Sequence, residues 1–97
     1  MASKVFYQLL GLAYRAKKIS FGDSAIDSVR NHQSHLVLIT NDISARSQKK
    51  VEEKCRFYQV ELMIIDDSQT LAMYLGKNNV KVISINDIGF AKSLKNK

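Results

Sequence analysis

The amino-acid sequence predicts an α/β protein built as a three-layer α/β/α sandwich. Three observations lead there. Short apolar runs suited to buried strands, HLVLIT, VELMII and VKVISI, recur along the chain. Segments with apolar residues at helical spacing lie between them. No proline or low-complexity tract breaks the succession. Alternation of this kind lays helices on both faces of a sheet.

The elements follow in order. Ser3 can cap a first helix over 4–16, where Val5, Leu9, Leu12, Ala13 and Ala16 form an apolar stripe. Residues 18–21 read as a short strand that Gly22 ends. Asp23 or Ser24 can cap a second helix over 24–33, with Ala25, Ile26 and Val29 inward. HLVLIT, 35–40, is a strand buried on both faces, and NDIS turns the chain so that Ser44 can cap a helix over 45–58. Val51, Cys55 and Tyr58 give that helix its inward face. VELMII, 60–65, reads as a second buried strand, and DDS caps a helix over 69–75 that Gly76 ends as a left-handed cap. VKVISI, 80–85, is the last strand, and Asn86 or Asp87 caps a helix over 87–95.

The chain has 97 residues, 45% hydrophobic and 25% charged, which suits one domain over 1–97 with one core. No apolar run reaches the roughly 20 residues of a bilayer span. The N-terminal apolar residues are spaced as a helix face, unlike a cleavable signal. The single cysteine, Cys55, excludes an internal disulfide framework, so the expected address is the cytoplasm and membrane association is not expected. Net charge is +6, with ten Lys/Arg against five Asp/Glu in residues 1–60 and five against four in 61–97. A small basic domain of this kind is a candidate for nucleic-acid binding.

Nothing points to catalysis. The chain lacks a phosphate-binding G-x-x-x-x-G-K-[ST] loop, a G-x-G-x-x-G turn and a G-x-S-x-G elbow. His32 and His35 are three apart but straddle a helix end with no acidic or thiol neighbour, so no metal site is expected. Cys55 lies on an inward helix face, and Asp66–Asp67 fit a helix cap as well as an acid–base pair. The expectation is a non-enzyme without cofactor or small-molecule substrate.

Anion-binding features are better represented. Gly22-Asp23-Ser24 heads a helix, where glycine admits close approach and exposed N–H groups carry partial positive charge. Arg15, Lys17 and Lys18 precede it and suit phosphate. Arg46, Lys49, Lys50 and Lys54 share one face of the third helix, which also reads as an ordinary solvated face. GKNNVKV, 76–82, is a polar loop with Lys77, Asn78, Asn79 and Lys81. In an all-parallel order, loops after helices and loops after strands lie at opposite ends of the sheet. Whether this loop meets Gly22 therefore depends on strand direction.

LLGLAYRAKKISFG, LVLITNDIS, KKVEEKCRFYQV, LGKNNVKVISI and DIGFAKSL together resemble the ribosomal protein L-seven-Ae/L-thirty-e superfamily, in its bacterial YlxQ-type branch. The resemblance implies an α/β/α sandwich around a mixed four-stranded sheet. It also implies binding of kink-turn RNA through a turn of pattern G-x-N-E-x-x-K and a second loop before the last strand. Gly22 matches the glycine, Lys18 suits a backbone contact, and Asp23 or Ser24 takes the Asn position. Ala25 replaces the glutamate, and Asp27 or Ser28 the lysine. Lys77, Asn78, Asn79 and Val80 fill the second loop, and Asn41 and Asp42 a third. The expected function is non-catalytic, ribosome-associated binding or binding of other structured, kink-turn-like RNA with altered specificity. The alternative is a protein-interaction module on the same fold that has lost RNA binding.

Overall fold

The computed structural model describes residues 3–96. Its elements are α1 (Lys4–Arg15), β1 (Ile19–Phe21), α2 (Gly22–Arg30), β2 (Leu36–Thr40), α3 (Ala45–Tyr58), β3 (Leu62–Ile65), α4 (Ser68–Leu75), β4 (Val82–Ile85) and α5 (Ile88–Lys95). Helix starts follow the predicted side-chain chemistry in four cases. Ser3 accepts from the Phe6 N–H, Ser44 from Ser47, Asp67 from Thr70 and Asp87 from Phe90. Gly76 ends α4 at φ 69°, the left-handed cap expected of it.

α2 is different. Its cap residue is Phe21, which makes no side-chain cap bond, so neither Asp23 nor Ser24 caps it. The chain passes straight from β1 into the helix through Gly22 at φ 56°. Asp23 then lies inside the first turn, where negative charge suits the helix dipole.

The sheet order is β1-β4-β2-β3. β4 runs antiparallel to both β1 and β2, while β2 and β3 are parallel. Alternate residues of the central strands feed two cores. Leu36, Leu38, Ile83 and Ile85 pack with Phe6, Tyr7 and Leu10 of α1, Leu71 and Leu75 of α4, and Ala91 and Leu94 of α5. Val37, Ile39 and Val82 pack on the other face with Ala25, Ile26 and Val29 of α2 and Val51 and Cys55 of α3. The three layers are thus α1, α4 and α5, the mixed sheet, and α2 with α3. Burial pushes the Cys55 thiol up to about 11, consistent with a packing role.

Two expectations fail here. α1 buries Phe6, Tyr7, Leu10 and Ala13, whereas Val5 and Leu12 are about half exposed and Ala16 is exposed. The helix is apolar nearly all round, and its aromatic residues carry the larger area and take the core. β3 is an edge strand rather than one buried on both faces, so Ile64 is 56% exposed.

Between α2 and the sheet lies a polar cluster. Ser84 Oγ is 2.7 Å from Ser34 Oγ and 2.6 Å from Asn86 Oδ1. The Asn86 amide donates to Ser20 and Ser28, whose hydroxyls are 2.7 Å apart. Ser28 also donates to the Ser24 carbonyl, tying the first turn of α2 to β1 and the end of β4. Mutual pairing offsets the desolvation of these groups.

Candidate nucleic-acid interface

The antiparallel direction of β4 decides the site. Because β4 runs against its neighbours, the loop that precedes it lies beside the turns that follow β1 and β2. The helix-to-strand loop 76–81 therefore meets the Gly22 turn, which an all-parallel order would have placed at the other end of the sheet. Ser20, Phe21, Gly22 and Ser24 on one side and Lys77, Asn78, Asn79, Val80 and Lys81 on the other line an open cavity of about 460 Å³. The Lys77 ammonium lies 5.2 Å from the Phe21 ring centroid, a cation–π contact across the groove. Tyr14 holds the other partner in place, its ring edge-to-face with Phe21 at 5.3 Å.

The loop is shaped from within. Val80 is buried, so its side chain anchors the loop in the core and offers a ligand little surface. Asn79 takes φ 61°, a left-handed conformation that Asn tolerates better than most residues. Lys81 pairs with Asp42 at 3.2 Å. Asp42 also accepts from the Ser68 N–H at 3.1 Å and the Ser68 hydroxyl at 2.7 Å. Ser68 first, then the neighbouring Thr40 side chain and then Lys81 hold the Asp42 carboxyl well below the usual carboxylate range. Asp42 thus joins the β2–α3 turn, the start of α4 and the 76–81 loop at one end of the sheet. Asn41 is exposed beside it, its N–H donating to the Asp66 carbonyl at 3.2 Å.

Arg15, Lys17 and Lys18 lie elsewhere. The Lys18 carbonyl accepts from Asn86 N–H, at the end of β1 remote from Gly22. Four residues of extended chain put Lys18 roughly 13 Å from the glycine. Arg15, in the last turn of α1, complements the negative end of that helix. Asp23 is exposed but does not line the groove, whereas Ser24 does. The structure therefore unites Gly22 and Ser24 with Lys77–Val80, adds Asn41 and Asp42 at the same sheet end, and separates Arg15, Lys17 and Lys18.

Sequence reasoning left Ser20, Phe21 and Lys81 out of this set. Phe21 read only as a strand residue, although an aromatic next to a helix-heading glycine is a usable signal. Lys81, at the end of the polar loop, also lines the groove.

The chemistry offered is that of polar recognition. Lys77 supplies an ammonium, Asn78 and Asn79 both donors and acceptors, and Ser24 a hydroxyl. Asp66 is engaged by the Tyr7 hydroxyl at 2.8 Å and Asp67 caps α4, so the two acids serve the fold rather than forming an acid–base pair. His32 packs edge-to-face on Tyr58. No group of three or more His, Cys, Asp or Glu side chains converges among the described residues.

Related proteins share this frame. The chain is 38% identical to the RNA-binding protein YlxQ of Bacillus subtilis (strain 168) over 95 residues, 97% of this chain and 95% of that one. It is 36% identical to the RNA-binding protein YlxQ of Enterococcus faecium over 88 residues, covering 90% and 84% of the two chains. A solved structure of a protein of unknown function from Bacillus halodurans superimposes with a TM-score of 0.89 at 33% identity, covering 94% of this chain and 93% of that one. The sequence pattern of the ribosomal protein L7Ae/L30e/S12e/Gadd45 family matches residues 4–95, and the chain belongs to that family.

Proposed function

We propose that this chain is a non-catalytic, cytoplasmic RNA-binding protein acting as one domain over 1–97, and that it takes ribosomal or other structured RNA in the groove between the Gly22 turn and the Lys77–Val80 loop. The observation that carries this reading is the meeting of those two segments in one open, cation-bearing groove. RNA is read most specifically where bases leave the regular helix, and a groove with amides, a hydroxyl and an aromatic edge suits such bases. The relatives named RNA-binding proteins support the same reading.

Specificity differs from orthodox kink-turn readout. Ala25 is fully buried and has no acceptor for a guanine. Ser28 is spent in the polar cluster, and Asp27 pairs with Arg30 at 3.5 Å. The turn keeps a backbone seat and loses the side chains that would read tandem G·A pairs.

Gel-shift titration against a kink-turn RNA and an unbroken duplex, at low and physiological salt, tests this. The expected result is binding to the internal-loop RNA that weakens steeply with salt and discriminates only modestly against a kink-turn with altered G·A pairs. Absence of binding to either RNA at low salt overturns the reading and leaves the interaction-module alternative.

A further inference from the structure

We infer that the exposed face of α3 is a phosphate-binding track that continues the groove and holds the backbone of the RNA stem leading out of it. This rests on the groove reading above, and it assigns the stem a different set of residues from the bases.

Three observations carry it. First, α3 begins at the groove end of the sheet. Lys81, which lines the groove, also lines the adjoining cavity with its ion-pair partner Asp42 and with Ser44 and Ser47 at the head of α3. Second, the charges are placed against the helix. Arg46, Lys49 and Lys50 occupy the first two turns, the first turn has no acidic residue, and Glu52 is the first acid of the helix. Cations at a helix N-terminus oppose the dipole and are locally destabilising. A broken local rule without a local benefit marks a site shaped for something else. Third, all three cations are exposed, and no ion pair joins any of them to a carboxylate among the described residues. The ordinary solvated helix face explains the exposure but not the placement.

The geometry suits an extended polyanion. Arg46 and Lys50 stand four residues apart, about 6 Å along the axis, with Lys49 beside them and Glu53 closing the patch. These three cations present a patch of charge where a groove-bound internal loop hands over to its stem. Arg15 and Lys17 offer no such continuity. They sit at the C-terminal end of α1, where cations stabilise the helix.

The test combines Arg46→Gln, Lys49→Gln and Lys50→Gln in the full chain. It measures binding to an internal-loop RNA with both stems full and with both cut back to the loop, across a salt series. The triple variant is expected to bind the full-stem RNA about tenfold more weakly, with a log–log salt slope shallower by about 2 to 3. Its thermal midpoint should stay within a few degrees of the wild type, because Arg46 in the first turn opposes the helix dipole and all three side chains are exposed. Wild type and variant should bind the cut-back RNA alike. Unchanged affinity and slope on the full-stem RNA overturn the track. A Lys77→Ala, Asn78→Ala variant separates the two readings. If it weakens binding to both RNAs while the triple variant does not, the groove stands and the track falls. If only the triple variant weakens binding, the track stands without the groove. If the wild type binds neither RNA, both fall.

Discussion

The Lys77 ammonium rests 5.2 Å from the centre of the Phe21 ring, joining the loop after α4 to the last residue of β1. Distant parts of the chain meet here because β4 runs against its neighbours. Lys77→Ala removes a cation from the groove and one exposed cation–π contact, which contributes about 0.5–1 kcal/mol. RNA affinity should fall several-fold and the log–log salt slope by about 1, while urea unfolding shifts only slightly.

Gly22 sets the turn opposite Lys77. Its φ is 56°, and a Cβ there would meet nothing within 4 Å. Gly22→Ala therefore introduces backbone strain without a clash. The expected loss is about 1–2 kcal/mol in equilibrium urea unfolding, with cooperativity retained. A much larger loss would show that the turn is crowded rather than strained.

Asp42 links three segments, and its depressed titration sets a pH signature. Its carboxyl lies below its ordinary value of 3.8 because Ser68 and Lys81 bond the charged form. A carboxylate lowered in the folded state contributes its full stabilisation above the unfolded value, and loses it as pH falls toward the folded one. Asp42→Asn should thus be less stable than wild type at neutral pH, and the gap should begin to narrow below about pH 4 and shrink progressively with further acidification. Denaturant midpoints on both sides of that value measure it.

Tyr7 supports the same end of the sheet from inside. Its hydroxyl donates to Asp66 Oδ2 at 2.8 Å, while Oδ1 of the same buried carboxylate has no partner among the described residues. Burial and then Asp66 push the phenol far above its usual range. Tyr7→Phe keeps the ring stacked on Tyr74 at 4.5 Å and removes the donor. The expected cost is about 1–3 kcal/mol by chemical unfolding, the penalty of an unsatisfied buried acceptor.

What the sequence made legible follows the range of the forces involved. Caps at Ser3, Ser44, Asp67 and Gly76 are local chemistry, and all four stand where the residue types placed them. LVLIT, Leu36–Thr40, is buried on both faces as its continuous apolar run requires, while His35 ahead of it stays exposed and outside the strand. The face of α1 was not legible, since Val5 and Phe6 are equally apolar and only packing against α4 and α5 decides between them. The exposure of Ile64 depends on β3 lying at the edge, which a continuous apolar run does not encode. The groove was half legible. Gly22 and Lys77–Asn79 were separately visible, but their meeting depends on the direction of β4, a long-range property. Lys17 and Lys18 lie apart from the groove for the converse reason: nearness to Gly22 in sequence is distance along an extended strand.

The most direct test of the groove is an amide chemical-shift map of the isotope-labelled chain titrated with an internal-loop RNA. The account predicts the largest shifts at Phe21–Ser24 and at Lys77–Lys81, with smaller ones at Arg46–Lys50 and little change at Arg15–Lys18. A map centred on Arg15–Lys18 or on the β3 edge around Ile64, with the groove silent, would contradict it.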